Sequence, residues 1–155
     1  MLDIGQQAPD FTLRSHKGED VSLCQYRGQK NVVLSFHVLA FTGFCTQQVA
    51  AFGQETRRFE EQGTQVLGIS VDSAPVQQAF CEGLGNIPYP LLADFHPKGE
   101  VATLYGVYNE QQGTSLRAVF VIDRGGVVRF KHIYTRGIPN PEEILKEVEC
   151  LAQLV

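Results

Sequence analysis

Three nearly continuous apolar runs, rich in β-branched residues, punctuate this chain, and segments of helical periodicity lie between them. Residues 32–38 read Val-Val-Leu-Ser-Phe-His-Val, residues 65–71 read Gln-Val-Leu-Gly-Ile-Ser-Val, and residues 117–123 read Arg-Ala-Val-Phe-Val-Ile-Asp. Such runs predict strands covered on both faces. After the first run, Val49, Phe52 and Phe59 fall at roughly helical spacing, which predicts a helix over about 43–62 closed by Gly63. After the second, Asp72 and Ser73 read as a cap with Pro75 in the first turn, and Val76, Ala79 and Phe80 give a helix to about Gly83 its core face. Two short alternating segments, 11–13 and 21–23, joined by a turn-like link, predict an N-terminal hairpin. Residues 87–94 read as a loop entering a short extended segment, and 98–104 as a short helix. A turn at 124–126 leads into a half-exposed edge strand over 127–134. Pro141 opens a final amphipathic helix with Ile144, Leu145, Val148 and Leu151 on one side.

The order is therefore a hairpin, a βαβ unit and a ββα unit, which makes an α/β protein with a central mixed sheet flanked by helices on both faces. That is a thioredoxin-like topology with an N-terminal β-hairpin and an extra helical segment before the last hairpin. Length refines the picture to one domain over 1–155 with room for a real core. Hydrophobic residues make up 43% and charged residues 19%, a globular balance rather than a disordered one. Net charge is −4 with no basic run, which argues against a nucleic-acid partner. The first residues lack a basic and apolar leader pattern, and the longest apolar run, near 32–41, is too short to span a bilayer. No membrane partner and a cytoplasmic location are expected.

The chemistry points to cysteine. Cys24, Cys45, Cys81 and Cys150 include no CxxC pair, and no cysteine–histidine cluster has metal-ligand spacing, so neither a metal nor a cofactor is expected. Cys45 falls in the first turn of the helix that follows the first core strand. Free backbone N–H groups and the positive end of the helix dipole favour a thiolate there. The residues alone leave two readings of Cys45, an acidic reactive thiol or a small core filler. Cys24 and Cys150 read as structural.

The chain resembles the peroxiredoxins, thiol-dependent peroxidases on a thioredoxin-type fold. Thr42 and Cys45 match the family's threonine, two residues, then peroxidatic cysteine, while Val38 stands at the position of the family's proline. Arg117-Ala-Val-Phe120-Val-Ile-Asp123 matches its arginine-led strand. The Ala8-Pro9-Asp10-Phe11 opening, Ile69-Ser70-Val71-Asp72 and Tyr89-Pro90-Leu91-Leu92-Ala93-Asp94 are further signposts. Phe41-Thr42-Gly43, Tyr105-Gly106-Val107 and Asn109-Glu110-Gln111 look most similar to the alkyl hydroperoxide reductase E type.

The resemblance implies that Cys45 attacks a peroxide and becomes a sulfenic acid. Thr42 would hydrogen-bond peroxide and sulfur, and Arg117 would stabilise the thiolate and the leaving oxygen. Gly43, Phe44 and the Thr46 backbone would line the substrate site. Val38 keeps apolar bulk but adds an N–H that proline lacks. Gln48 stands where many members have glutamate, so its contact to an arginine would be uncharged. His37 is read either as a hydrogen-bonding neighbour of the sulfur or as a packed strand-end histidine. Cys81 lies on the helix where the bacterioferritin-comigratory-protein type carries a resolving cysteine. It is read either as the partner of Cys45 in an intramolecular disulfide or as an inert residue beside Phe80. Re-reduction would fall to thioredoxin, a glutaredoxin-like protein or a low-molecular-weight thiol, directly so if Cys81 is inert. A homodimer is a further implication, with Phe41, Phe44 and Tyr89 either in the core or bordering an apolar patch. The substitutions at 38 and 48 motivate a second reading, a weakened peroxide sensor or partner-binding protein.

Overall fold

The computed structural model describes residues 2–152. Its centre is a seven-stranded mixed sheet built around three central strands: β3 (Asn31–Phe36), β4 (Thr64–Ser70) and β8 (Ala118–Ile122). Every residue of β3 and β8 is buried, as the apolar run of β8 and the nearly continuous one of β3 predict. β3 and β4 run parallel, with Phe36 opposite Ile69, while β8 runs antiparallel to β3, with Phe36 opposite Ala118. β5 (Leu91–Ala93) continues the parallel side beyond β4. The N-terminal hairpin, β1 (Thr12–Ser15) and β2 (Asp20–Ser22), adds antiparallel to β5 and ends the sheet. β9 (Val128–Ile133) forms the opposite edge and is partly exposed, as its alternation predicts. The strand bounds lie one or two residues off those expected; the first core strand stops at Phe36, leaving His37 and Val38 in the connection that follows.

Helix α1 (Gly43–Glu61) buries Val49, Phe52 and Phe59 on one face of the sheet, joined there by α2 (Ala74–Gly83) and α4 (Pro141–Ala152). Full burial of each large apolar side chain contributes roughly 1.5–3 kcal/mol. Gly63 follows the last turn of α1 with φ +63°, the left-handed conformation that a β-carbon disfavours. Ser73 caps α2 by accepting from the Val76 N–H, with Pro75 in the first turn as expected. The second face is covered by short α3 (Glu100–Leu104), the N-terminal arm and a 3₁₀ turn over Leu23–Tyr26. That turn, expected as a polar connector from Tyr26, begins at Leu23 because Leu23 is buried in the core. A two-stranded hairpin, β6 (Tyr108–Asn109) with β7 (Thr114–Ser115), lies outside the main sheet and carries no periodicity long enough to read from sequence.

Among the described residues, no helix is long and apolar enough to cross a membrane, and no three or more His, Cys, Asp or Glu side chains group as metal ligands.

Candidate active site

Two chain reversals at one end of β3 assemble the site. β3 ends at Phe36, and His37 extends the ladder by one bond, its N–H donating to the Ile69 carbonyl at 3.0 Å. Successive amides along an extended chain point to opposite sides. The Val38 N–H therefore points away from β4 and donates to the Cys45 Sγ at 3.3 Å. β8 runs the other way in register Phe36–Ala118, so Arg117, just ahead of β8, arrives at the same level. Its Nη2 donates to Cys45 Sγ at 3.2 Å.

The link between β3 and α1 is a tight loop. Its left-handed residue is Phe41, at φ 67°, and not Gly43, which lies in α1. A bulky side chain in that conformation costs of order 1–3 kcal/mol and needs support from its surroundings. Support comes from three directions. The Ala40 N–H donates to Asp72 Oδ2 at 2.8 Å, and Asp72 also accepts from the Ser70 hydroxyl at 2.6 Å. The Thr42 hydroxyl donates to the Leu39 carbonyl at 2.7 Å. The Phe41 ring packs on Phe80 of α2 with centroids 5.1 Å apart.

Cys45 is the third residue of α1, so its own N–H is among those the helix leaves free. The sulfur is wholly buried, at 0% exposure. Burial pushes the thiol pKa up, but the Thr42 hydroxyl, the backbone at Leu39, the Arg117 guanidinium and the Val38 backbone outweigh it, and the net displacement is downward. The Thr42 hydroxyl is close enough to contribute to this balance, although its hydrogen bond is made to Leu39.

Gln48 lies one turn along α1 and is completely buried. Its Nε2 donates to the Ser35 hydroxyl at 2.8 Å and to the Phe36 carbonyl at 3.1 Å. That fixes its Oε1 as the acceptor of Arg117 Nε at 3.0 Å. Gln48 thus clamps one edge of the guanidinium while the other edge faces the sulfur, the expected uncharged contact. Ser35, the polar residue inside the apolar run of β3, is the sequence signal for this anchor. The Arg117 guanidinium also lies over the Phe44 ring, 5.7 Å from its centroid. Phe44 and Phe41 are 58% and 60% exposed, so both border the site as an apolar rim. Tyr89 belongs instead to the core, where its hydroxyl donates to the Val49 carbonyl at 3.0 Å.

Two expectations change, for Thr46 and for Cys24 with Cys150, and His37 takes the second of its two readings. The Thr46 N–H is not free for substrate, because the first bond of α1 runs from it to the Thr42 carbonyl at 2.8 Å. His37 does not hydrogen-bond near the sulfur. It is fully buried, neither ring nitrogen has a hydrogen-bond partner, and the ring packs 5.9 Å from Phe80. Burial drives its pKa down to about 4 against the opposing influence of Asp72 and Gln77, with Arg117 adding to the fall. It is a neutral packed histidine. Cys24 and Cys150 are exposed, so neither fills the core.

Cys81 occupies the last turn of α2 and is buried. The Ile87 N–H donates to its sulfur at 3.1 Å, and the thiol faces the Ile87 carbonyl at 3.6 Å. Burial pushes its pKa up, so it is held as a thiol. Cys45 and Cys81 are both free.

An acidic cysteine at a helix start, paired with a guanidinium at the end of a thioredoxin-like sheet, defines a thiol oxidoreductase. Comparison with known proteins names the kind. The AhpC/TSA family matches residues 4–131, and the chain belongs to that family of thiol peroxidases, the peroxiredoxins. It is 42% identical over 137 residues to alkyl hydroperoxide reductase E of Mycobacterium tuberculosis, covering 88% of this chain and 89% of that protein. It is 34% identical to a chloroplastic 2-cysteine peroxiredoxin of Chattonella marina, covering 97% and 80% of the two chains. Among solved structures, Enterococcus faecalis AhpC superposes with a TM-score of 0.90 at 27% identity, covering 99% and 95% of the two chains. Peroxidoxin BcpB of Mycobacterium tuberculosis superposes with a TM-score of 0.89 at 27% identity, covering 97% and 99%. The activity of the chain is thiol-dependent peroxide reduction.

Proposed function

We propose that Cys45 is the sulfur that carries the peroxidase reaction of this chain, working as a single catalytic domain on hydrogen peroxide and organic hydroperoxides. The observation that carries this is the donor set converging on Cys45 Sγ, with Val38 N–H at 3.3 Å and Arg117 Nη2 at 3.2 Å. The thiolate forms a bond to one peroxide oxygen as the O–O bond breaks. Sulfur is oxidised by two electrons to the sulfenic acid, and the departing hydroxide or alkoxide takes a proton from solvent. Arg117 faces the reacting atoms and stabilises the charge as it moves from sulfur to the leaving oxygen. The Thr42 hydroxyl turns from Leu39 toward the incoming peroxide. Because the sulfur is buried, peroxide reaches it when neighbouring side chains move, and exposed Phe44, whose ring lies against the Arg117 guanidinium, borders that route. Cys45→Ser abolishes peroxide consumption in this reading; consumption at the wild-type rate refutes it.

The sulfenic acid of Cys45 condenses with the Cys81 thiol, forming the disulfide and releasing water. Support comes from the mechanical link between the two segments. Phe80, the neighbour of Cys81, packs against both Phe41 and His37 of the active-site loop. Disulfide geometry needs Cα atoms within about 7 Å, so the end of α2 must loosen and release the Ile87 contacts. Gly83 and Gly85 flank that end. A redoxin such as thioredoxin then reduces the disulfide. The burial and raised pKa of Cys81 favour the second reading, a one-cysteine cycle in which a glutaredoxin-like protein or small thiol reduces the sulfenate directly. Non-reducing peptide mapping after one equivalent of peroxide separates them, since absence of a Cys45–Cys81 linkage rules out the first. The exposed Phe41 and Phe44 support a homodimer formed beside the site, and four cysteines without a disulfide-framework spacing support a reducing, cytoplasmic setting.

A further inference from the structure

Cys45 has two resident hydrogen-bond donors, and one of them belongs to the residue that departs from the family pattern. Val38 stands where the resemblance places a proline, which has no N–H to give. Here that N–H exists and is spent on the sulfur at 3.3 Å. Its direction follows from the backbone: His37 donates to β4, so Val38 must donate toward β8, where the ladder has already ended at Ala118. Without the sulfur, Val38 would hold an orphan donor in a half-buried position. Meanwhile the Thr42 hydroxyl, although in reach, is committed to the Leu39 carbonyl at 2.7 Å.

We propose that the Val38 backbone N–H is a catalytic group of this enzyme: as a fixed donor to the reacting sulfur, it favours formation of the thiolate and restrains its attack on peroxide. This rests on Cys45 being the reacting sulfur. The physical reason is differential stabilisation. In the ground state the negative charge is concentrated on sulfur, and the donor acts on it fully. In the transition state that charge has begun to move to the leaving oxygen, and the same donor acts on less of it. A thiolate made more stable is also a weaker nucleophile, because nucleophilicity falls by about threefold for each tenfold fall in basicity. Arg117 differs in kind, since the guanidinium is extended and has further N–H donors to follow the charge as it moves.

The decisive variant exchanges the Val38 amide for an ester, with α-hydroxyvaline at position 38, in a Cys24→Ser, Cys81→Ser, Cys150→Ser background. This removes the N–H and keeps the side chain. Val38→Pro removes the same donor by ordinary mutagenesis, and Val38→Ala keeps the donor while trimming the side chain. Two quantities are measured in each: the pH midpoint of Cys45 thiolate absorbance, and the rate constant of Cys45 oxidation by hydrogen peroxide above that midpoint. Relative to Val38→Ala, which keeps the N–H, the ester and the proline variant raise the midpoint and speed oxidation per thiolate by about threefold for each tenfold gain in basicity. If Val38→Pro fails to fold, the ester and the alanine variant carry the comparison. An unchanged midpoint in the folded ester overturns the proposal, and so does a per-thiolate rate that stays level or falls. The titration does not depend on peroxide, so a parent protein whose Cys45 ignores peroxide refutes the peroxidatic assignment separately, whichever way the midpoint moves.

Discussion

In the proposed reaction Arg117 has two roles, as one of the groups that lower the Cys45 pKa and as the side chain that stabilises the leaving oxygen, and two substitutions separate them. Arg117→Met removes the charge and leaves a side chain of similar length. The lost hydrogen bond, Nη2 to sulfur at 3.2 Å, is one to a charged acceptor, worth about 1.5–3 kcal/mol. Thiolate formation should become about ten- to hundredfold less favourable. Loss of a preorganised donor to developing charge should remove a further factor of about 10²–10³ from the rate, and that factor persists at pH values where every molecule is thiolate. There is also a structural cost. Gln48 Oε1, buried and bonded to Arg117 Nε at 3.0 Å, loses its donor, which should lower stability by about 1–3 kcal/mol. Arg117→Lys keeps the charge but cannot satisfy Gln48 and the sulfur together, because an ammonium is a single point and not a fork. The assay is stopped-flow oxidation of Cys45 by hydrogen peroxide across pH, beside thiolate absorbance and urea unfolding of the same samples. Arg117→Met should stay slow at high pH, and Arg117→Lys should recover part of the thiolate acidity but little of the rate. If Arg117→Met reaches the wild-type rate once fully ionised, Arg117 acts only on the thiol, and its assigned contact with the leaving oxygen is wrong.

Two further outcomes follow from the buried groups around the loop. His37 holds a pKa of about 4 in the folded protein against an ordinary value of 6.5. The unfolded chain therefore binds a proton first on acidification, so stability is intact above about pH 6.5 and falls as pH drops toward 4, by up to about 3 kcal/mol. Urea unfolding should show a shallower loss between pH 7 and pH 4.5 in His37→Phe, and identical losses in the two proteins would place the acid sensitivity elsewhere. Asp72→Ala leaves the Ala40 N–H and the Ser70 hydroxyl without their shared acceptor. The loop carrying Phe41 and Thr42 then loses its tether, and Cys45 oxidation should slow by up to about 10²-fold with little change in fold by circular dichroism; a wild-type rate would show that the tether does not position the site.

The elements most legible in the chain were those whose burial is decided by their own composition. β8 carries an unbroken apolar run and β3 one interrupted only by Ser35 after Asn31, and no neighbour was needed to see that they are covered on both sides. α1 shows its core face through Val49, Phe52 and Phe59, and α2 its cap through Ser73 and Pro75. Less legible were pieces held by contacts distant in sequence. The 3₁₀ turn at Leu23–Tyr26 exists because Leu23 reaches the core, and the β6–β7 hairpin is too short to display a period. The left-handed residue of the active-site loop was also hidden. Glycine is the natural expectation, yet Phe41 takes the conformation, held by Asp72 and by packing on Phe80.

The sequence alone determined that a cysteine opens a helix after a buried strand, and that an arginine opens another buried strand 72 positions later. Helix starts and strand starts are local properties, set by caps, turns and periodicity. Only the tertiary structure decided that the two residues meet, because the register of β8 against β3 sets the level at which Arg117 arrives. It also decided what Val38 does. From sequence, valine in place of proline is a gain of one N–H with no address. The alternation of amide directions along the end of β3 turns that N–H to Cys45, while the neighbouring His37 amide goes to Ile69. A hydrogen bond needs both a donor and a direction, and direction is a property of the assembled sheet.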